Sequence, residues 1–179
     1  MMGSHRRQAV VLVLLMGIVS AIAQLAGVGT QRAVTATTTS RTLATIPGGT
    51  VPDRSSTRLA GTVVEVDAGE TVRMSGSATL VAKAIGKARS AQAVCGIRYR
   101  RDGDAGWSLG TPYETVVLSR TGASDTVRIE RSFAAPAADT YRMSFACHVV
   151  SPAKGAKVTA SGTMRTKLGL PDGAATPVE

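Results

Sequence analysis

The chain has 179 residues, a formal net charge of +9 and an aromatic content of only 3%. Its length suffices for one domain with a substantial hydrophobic core. The scarcity of aromatic side chains argues against the stacking surfaces that bind single-stranded nucleic acid, so we expect no nucleic-acid partner. Sixteen of the 21 basic residues are arginine, as in proteins from GC-rich bacterial genomes, so a purely compositional origin of the charge stays open.

The first 23 residues have the features of a secretory signal peptide. Two arginines precede an apolar run over residues 9–19, and Ala21 and Ala23 form the small-x-small pattern that a signal peptidase accepts. We therefore expect a bacterial protein that is secreted or associated with the cell envelope, released after Ala23. The alternative is that residues 9–29, which carry no charge, are retained as a membrane anchor.

Residues 24–58 are rich in threonine, serine, glycine and proline and show no sustained apolar period. A segment of this composition cannot bury enough apolar surface to offset the entropy that it loses on ordering. We interpret it as a flexible linker and residues 169–179 as a disordered tail. The folded domain is then expected over residues 59–168.

Within residues 59–168, apolar and polar side chains alternate with the period of β-strands. Strands are predicted at residues 62–66, 71–85, 92–100, 114–119, 125–133, 140–150 and 157–165. Turns containing glycine, proline and aspartate separate them, and no stretch shows a helical period. The sequence therefore predicts an all-β fold, an antiparallel β-sandwich of seven to eight strands.

Cys95 and Cys147 both fall on the apolar phase of their predicted strands. In an exported protein such a pair is expected to form a disulfide, here one that crosses between the two packed sheets. It would close a loop of about 53 residues and stabilise the fold by about 4 kcal/mol. A metal site fails on the number of ligands, because the exported chain has one histidine and no third cysteine. No metal or cofactor is predicted.

Three features resemble an immunoglobulin-like domain over about residues 60–167. They are the two cysteines on inward strand positions, Trp107 twelve residues after the first, and the run PAADTYRMSFAC that leads into the second. The pattern departs at Tyr141, which lies six residues before Cys147, whereas a tyrosine corner needs two. The resemblance implies binding, adhesion or structural support and not a reaction.

His148 is the only imidazole that remains after export, and it limits what catalysis the chain could perform. It adjoins Cys147 but lies on the opposite face of the strand, which is poor geometry for a Cys–His dyad. We expect His148 to face solvent and the protein to be non-catalytic. The alternative is a secreted hydrolase of unknown substrate that uses His148, in a Ser–His pair, or acidic turn residues.

Acidic residues cluster at two predicted turns. Glu65, Asp67 and Glu70 surround one turn, and Asp102 and Asp104 belong to a hairpin. Such carboxylates could contribute to a Ca²⁺ site or act as a general acid and base. Aspartate and glycine are also ordinary turn formers, and this interpretation is favoured.

The same hairpin gathers the aromatic and basic residues that favour recognition. The candidate binding surface consists of Arg98, Arg100, Arg101, Trp107 and Tyr113. Trp, Tyr and Arg dominate interface hot spots, and arginine suits carboxylate and phosphate groups. Expected partners are anionic envelope polymer, lipid or another surface protein. Tyr99 is expected to cap the core instead, because it shares the phase of Cys95, whereas Trp107 fits either role.

Overall fold

A computed structural model describes residues 32–85, 90–108, 112–150 and 155–169, which form eight β-strands. The predicted all-β fold is confirmed. The strands are β1 (Ala33–Thr42), β2 (Thr57–Val66), β3 (Thr71–Ile85), β4 (Ala91–Arg101), β5 (Tyr113–Leu118), β6 (Ser124–Ala134), β7 (Asp139–Val149) and β8 (Ala156–Gly169). The predicted signal peptide and all but Gly169 of the predicted tail lie outside the described residues. In the described ranges, no helix has the length and apolarity needed to cross a membrane.

The strands form two antiparallel four-stranded sheets. The first sheet has the order β1-β8-β3-β6 and the second the order β2-β7-β4-β5. Their inner faces share one hydrophobic core. All seven strands predicted from alternation are present, and β3 has the predicted bounds. The two-layer arrangement is that of a sandwich.

Side-chain alternation determines which residues of β7 enter the core. Tyr141, Met143 and Phe145 point inward and are each at most 2% exposed. The Phe145 ring packs against Gly76 of β3, where an added Cβ would lie 2.8 Å from the ring. The two sheets therefore approach closely at a position where the sequence provides no side chain.

Cys95 and Cys147 form the predicted disulfide, but its predicted location between the sheets is wrong. The two residues lie directly opposite each other in β4 and β7, neighbouring strands of the second sheet. Their Cα atoms are 4.1 Å apart, near the spacing of a non-hydrogen-bonded antiparallel pair. Alternation identified the face on which each cysteine lies, but it could not identify the neighbouring strand.

The immunoglobulin-like topology is not confirmed. In an immunoglobulin domain the last two strands share a sheet, and the disulfide joins the two sheets. Here β7 lies in the second sheet and β8 in the first, where β8 pairs with β1 and β3. The resemblance is therefore limited to a two-sheet antiparallel architecture.

The structure differs from the predicted flexible linker at residues 33–42, which form β1 and pair with β8 at the edge of the first sheet. Most side chains of β1 are exposed, so β1 buries little apolar surface, as its composition predicts. Pairing with β8 satisfies backbone hydrogen bonds instead, and threonine and valine favour extended backbone. The edge strand is thus ordered by the sheet and not by its own hydrophobicity.

Residues 43–56, which we call the covering segment, cross the outer face of the second sheet. The segment begins beside β7, where Val149 N–H donates to Ala44 O and Ile46 N–H donates to Val149 O, both at 2.8 Å. Pro52 lies over β4, with its Cγ 3.1 Å from the position of a Cβ built on Gly96. Several outward-facing residues of β4 and β7 are consequently buried, namely Val94, Arg98, Ser144, Ala146 and His148.

Candidate functional site

The predicted binding surface is only partly assembled in the structure. The guanidinium groups of Arg98 and Arg100 lie over the Trp107 ring, 4.8 Å and 5.0 Å from its centroid. These are cation–π distances, and they place Trp107 on the outer side of β4 instead of between the sheets. Arg101 pairs with Asp104, and Tyr113 lies on β5 opposite Gly96. Only Arg98, Arg100 and Trp107 are therefore in direct contact.

Arg98 does not belong to an exposed surface, because its side chain is only 5% exposed. One of its terminal nitrogens donates a hydrogen bond to the carbonyl oxygen of Asp53 in the covering segment. Burial lowers the pKa of Arg98, and the Asp53 charge partly opposes that effect. Strand phase correctly placed Arg98 outward, but it gave no sign that residues 43–56 would cover this position. Its structural role is to hold the covering segment.

Two other arginines of the hairpin, Arg101 and Arg142, are paired with neighbouring aspartates. Arg142 lies opposite Arg100 and forms an ion pair with Asp102, Nε to Oδ1 2.8 Å. The hydrogen bond from Arg142 lowers the pKa of the Asp102 carboxyl. Arg101 and Asp104 form a second pair at 3.3 Å. Exposed ion pairs of this kind stabilise a fold little, but they reduce the attraction of the hairpin for anions.

Tyr99 caps the core, as predicted. Its ring stacks on Phe133 of β6 with centroids 3.9 Å apart. Arg131, which the sequence analysis did not single out, makes a cation–π contact with Tyr99. Its guanidinium carbon lies 4.7 Å from the centroid of the Tyr99 ring. The Arg131 guanidinium also donates to Ile97 O and Ser108 O, at 2.9 Å and 3.0 Å. An arginine on the inward phase of an edge strand therefore links the two sheets.

His148 is fully buried, so the prediction that it faces solvent is wrong. Its Nδ1 lies 3.1 Å from Ser56 Oγ and its Nε2 lies 3.1 Å from Gly49 O. Because a carbonyl oxygen only accepts, we assign the imidazole proton to Nε2, and Nδ1 then accepts from the Ser56 hydroxyl. The imidazole does point away from Cys147, but the covering segment turns that face into an interior.

Ser56 and His148 have the spacing of a nucleophile and its base, but they lack access to a substrate. Ser56 is 6% exposed, and its Oγ accepts the Asp53 N–H at 2.9 Å. The Ser56 N–H donates a hydrogen bond to Asp53 Oδ1, with 3.2 Å between the nitrogen and the oxygen. Acyl transfer needs an approach to the hydroxyl and donors for the developing oxyanion. The arrangement instead fastens the covering segment to β7.

The acidic residues between β2 and β3 stabilise their own turn. Glu70 Oε2 accepts the Asp67 N–H at 3.0 Å, and Asp67 O accepts the Glu70 N–H at 3.1 Å. Gly69 occupies this turn with a φ of 79°, which favours glycine. Among the residues that the structure describes, no group of three or more His, Cys, Asp or Glu side chains could hold a metal ion.

The outer face of the first sheet is a regular polar surface that the sequence analysis did not predict. β8, β3 and β6 present five cross-strand rows of three residues there. The fifteen positions comprise nine Ser or Thr, four Arg or Lys, one Glu and one Val. In the order β8, β3, β6 the rows are Lys167–Arg73–Ser132, Arg165–Ser75–Glu130, Thr163–Ser77–Arg128, Ser161–Thr79–Thr126 and Thr159–Val81–Ser124.

The charge of this outer face is concentrated in its first three rows. Lys167 and Arg73 lie directly opposite each other, an arrangement of like charges that disfavours strand pairing. A depression of about 320 Å³ lies here, and its lining includes Arg73, Ser75, Arg165 and Lys167 together with Glu130. The described residues provide no ion-pair partner for Arg128, Arg165 or Lys167. This end of the face can therefore attract anions.

No protein-family model matches this chain, and no curated protein is significantly similar to it.

Proposed function

We propose that the protein is a non-catalytic binding domain of the bacterial cell envelope, exported by its N-terminal segment. The observation that carries the proposal is the outer face of the first sheet, where four basic residues, one acidic residue and nine hydroxyl side chains form ordered rows. Arginine, lysine and hydroxyl groups donate hydrogen bonds to oxyanions, and bacterial envelopes expose phosphate and carboxylate groups. The Cys95–Cys147 disulfide suits an oxidising compartment outside the cytoplasm.

A secreted hydrolase is the second candidate, and the contact between Ser56 Oγ and His148 Nδ1 is the one observation that favours it. The two candidates differ in what Ser56→Ala would do. In a binding domain this change removes hydrogen bonds that fasten the covering segment and leaves envelope binding intact. Hydrolysis of any envelope component by the unaltered protein, abolished in Ser56→Ala, would favour the hydrolase.

Co-sedimentation with purified envelope at low and high salt tests the binding function. We expect retention at low salt and release at high salt, because the Debye length falls from about 10 Å at 0.1 M to about 3 Å at 1 M. Particles of a neutral insoluble polysaccharide are the control and should retain nothing. Equal retention at both salt concentrations, or no retention at either, would contradict the proposal.

A further inference from the structure

We propose that β5, at the edge of the second sheet, pairs with β5 of a second copy of the protein and joins the two second sheets into one. β5 is the last strand in the order β2-β7-β4-β5, with β4 on one side and no described strand on the other. It has six residues, which is a usual length for a strand in a sheet. The pairing does not depend on the proposed envelope binding.

β5 has fewer of the features that keep edge strands apart than the other three edges of the sandwich. β1 and β2 each contain a register shift that interrupts their pairing. β6 has an unbroken register but carries four charged side chains. β5 pairs with β4 without a shift and carries one charge, that of Glu114. Among the described strands, β5 is therefore the edge most open to a further strand.

The pairing of β4 with β7 determines where the backbone groups of β4 point. Val150 N–H donates to Gln92 O at 2.8 Å, so Gln92 directs its backbone groups toward β7. Successive residues of a strand alternate in this direction, so Cys95, three positions on, directs its N–H and C=O toward β5. The 4.1 Å between the Cα atoms of Cys95 and Cys147 agrees, because a short spacing is typical of a pair without mutual hydrogen bonds.

Half of the residues of β5 consequently direct their backbone groups toward solvent. Cys95 lies opposite Glu114, so Glu114 is hydrogen-bonded to β4. Tyr113, Thr115 and Val117 alternate with Glu114 and point their N–H and C=O groups away from β4. Outside the strand ladders, no backbone hydrogen bond between described residues involves these three. An unpaired edge of this kind is a template for another strand.

The same three residues provide the outward-facing side chains of β5, and all three are exposed. The covering segment lies over β4, where Pro52 contacts Gly96, but it leaves the outer face of β5 open. Tyr113 and Val117 are two of the four large apolar side chains that are exposed in the described ranges. One short strand thus combines open backbone groups with exposed apolar side chains.

A two-fold axis through Thr115, perpendicular to the sheet, matches these groups in two copies. It places Tyr113 of each copy opposite Val117 of the other, and Thr115 opposite its counterpart. Aromatic–β-branched and Thr–Thr pairs are favourable across antiparallel strands. All three pairs are of the hydrogen-bonded type, so together they form about six backbone hydrogen bonds. Because side chains and backbone groups favour the same self-complementary register, we choose a second copy over an unrelated strand.

The interface is small, so the dimer should be weak. One strand pair with four exposed apolar side chains lies below the about 1,200 Å² that stable interfaces bury. Each chain also carries a formal net charge of +9, so two copies repel each other. β5 itself contains no basic residue, and added salt screens the repulsion between the rest of the two copies. We expect a dissociation constant in the micromolar range that decreases as salt is raised, opposite to the effect on envelope binding.

The direction of the axis has a consequence for the first sheets. A two-fold axis perpendicular to the joined sheet keeps both first sheets on the same side of it. Their outer faces then point in one direction, and two copies can contact one surface together, which raises avidity without a new contact. This consequence rests on the proposed envelope binding, whereas the pairing of β5 does not.

Three variants test the pairing. Val117→Lys places a charge opposite Tyr113 of the second copy. Val63→Lys is the matched control, because it makes the same change on β2 at the other edge of the same sheet, where Val63 is 55% exposed and Val117 is 60% exposed. Thr115→Pro removes an N–H that faces the second copy, and an edge strand tolerates proline where its N–H faces solvent.

Sedimentation velocity of the purified full chain, over a range of protein and salt concentrations, measures the association. We expect the unaltered protein and Val63→Lys to change from monomer to dimer in the micromolar range. Dimerisation of Val117→Lys and Thr115→Pro should be weaker by at least about tenfold. Far-UV circular dichroism and urea midpoints establish that each variant folds, and Val117→Lys decides alone if Thr115→Pro unfolds. Equal weakening in Val63→Lys and Val117→Lys, or a monomer at every concentration, would overturn the inference.

Single added cysteines test the register. The two Thr115 Cα atoms would lie about 5.5 Å apart, within the range of a disulfide, so Thr115→Cys should form a cross-linked dimer under mild oxidation. The two Val117 residues would lie more than about 13 Å apart, four positions along the strand, so Val117→Cys should not. Cross-linking of both variants to the same extent would contradict the two-fold axis through Thr115.

Co-sedimentation with envelope separates this inference from the proposed function. If the protein is monomeric and Val117→Lys alone, but not Val63→Lys, loses co-sedimentation, the edge of β5 binds an envelope component and the second copy is not its partner. Dimerisation without co-sedimentation would support the pairing of β5 and contradict the proposed function.

Discussion

The imidazole of His148 joins β7 to two points of the covering segment that are 92 and 99 positions away in the sequence. Both ring nitrogens are used, one as acceptor and one as donor, so the ring is held in a single orientation. A typical intramolecular hydrogen bond contributes about 0.5–1.5 kcal/mol net, but leaving a buried partner unsatisfied costs more. One side chain thus couples the covering segment to the sheet.

We predict that His148→Ala lowers the free energy of unfolding by about 3 kcal/mol, because it creates a cavity and leaves Ser56 Oγ and Gly49 O without their partner. Ser56→Ala, which removes the hydrogen bonds of Ser56 Oγ with His148 Nδ1 and with the Asp53 N–H, should cost about 1–2 kcal/mol. Urea unfolding followed by circular dichroism measures both. Unfolding midpoints that match the unaltered protein would show that the covering segment is not fastened through His148.

The ion pair between Arg142 and Asp102 gives a prediction about pH. The hydrogen bond from Arg142 lowers the pKa of Asp102 in the folded protein. The stability that this pair contributes is therefore present above the unfolded-state pKa of about 3.9 and is lost as the pH falls through the lower folded-state pKa. In Arg142→Gln the Asp102 carboxyl should titrate closer to about 3.9. A ¹³C NMR titration of the Asp102 carboxyl in the unaltered protein and in Arg142→Gln compares the two pKa values. Identical titration midpoints would contradict the prediction that Arg142 lowers the pKa of Asp102.

At the scale of strands, side-chain alternation was informative wherever one face of a strand enters the core. In β7 it separated Tyr141, Met143 and Phe145 from Arg142, and in β3 it gave the observed bounds. It could not find β1, because an edge strand with mostly exposed side chains has no apolar period. It also could not tell that Cys95 and Cys147 are neighbours in one sheet, because pairing depends on contacts between distant segments.

Cys95 and Cys147 are separated by 52 positions, and closing a loop of this size restricts the unfolded chain. Replacing both with alanine should lower the free energy of unfolding by about 4 kcal/mol in the chain-entropy model. The native protein, denatured without reductant, should show no titratable thiol. Two reactive thiols, or a double variant as stable as the parent, would contradict the prediction.

At the scale of the whole molecule, folding redistributes the charges that the sequence contains. Residues 59–168 carry 15 basic and 9 acidic side chains, a formal net charge of +6. The sequence indicated the hairpin because its arginines are clustered along the chain. In the fold Arg98 is buried and Arg101 is paired, whereas Arg165 and Arg73, 92 positions apart, occupy adjacent rows on β8 and β3. Such a cluster depends on strand order, which local periodicity does not specify.

The folded unit includes β1 and the covering segment, which both precede residue 59. A fragment of residues 59–168, the domain that alternation indicates, lacks β1 and the covering segment. It would expose the buried outer side of β4 and β7, including Val94, Ala146 and His148, and would leave the edge of β8 unpaired. Unpaired edges and newly exposed apolar surface promote aggregation.

We therefore expect the fragment to aggregate or to unfold at a much lower urea concentration than a chain of residues 24–179, which retains both elements. A chain of residues 43–179, which lacks β1 and the residues before it but keeps the covering segment, is the intermediate and should lie between the two. Size-exclusion chromatography and urea unfolding of the three chains provide the comparison. If the fragment of residues 59–168 is monomeric and as stable as the longer chains, then β1 and the covering segment are accessory to a domain that folds without them, and the contacts of Ser56 and Gly49 with His148 are dispensable for its stability.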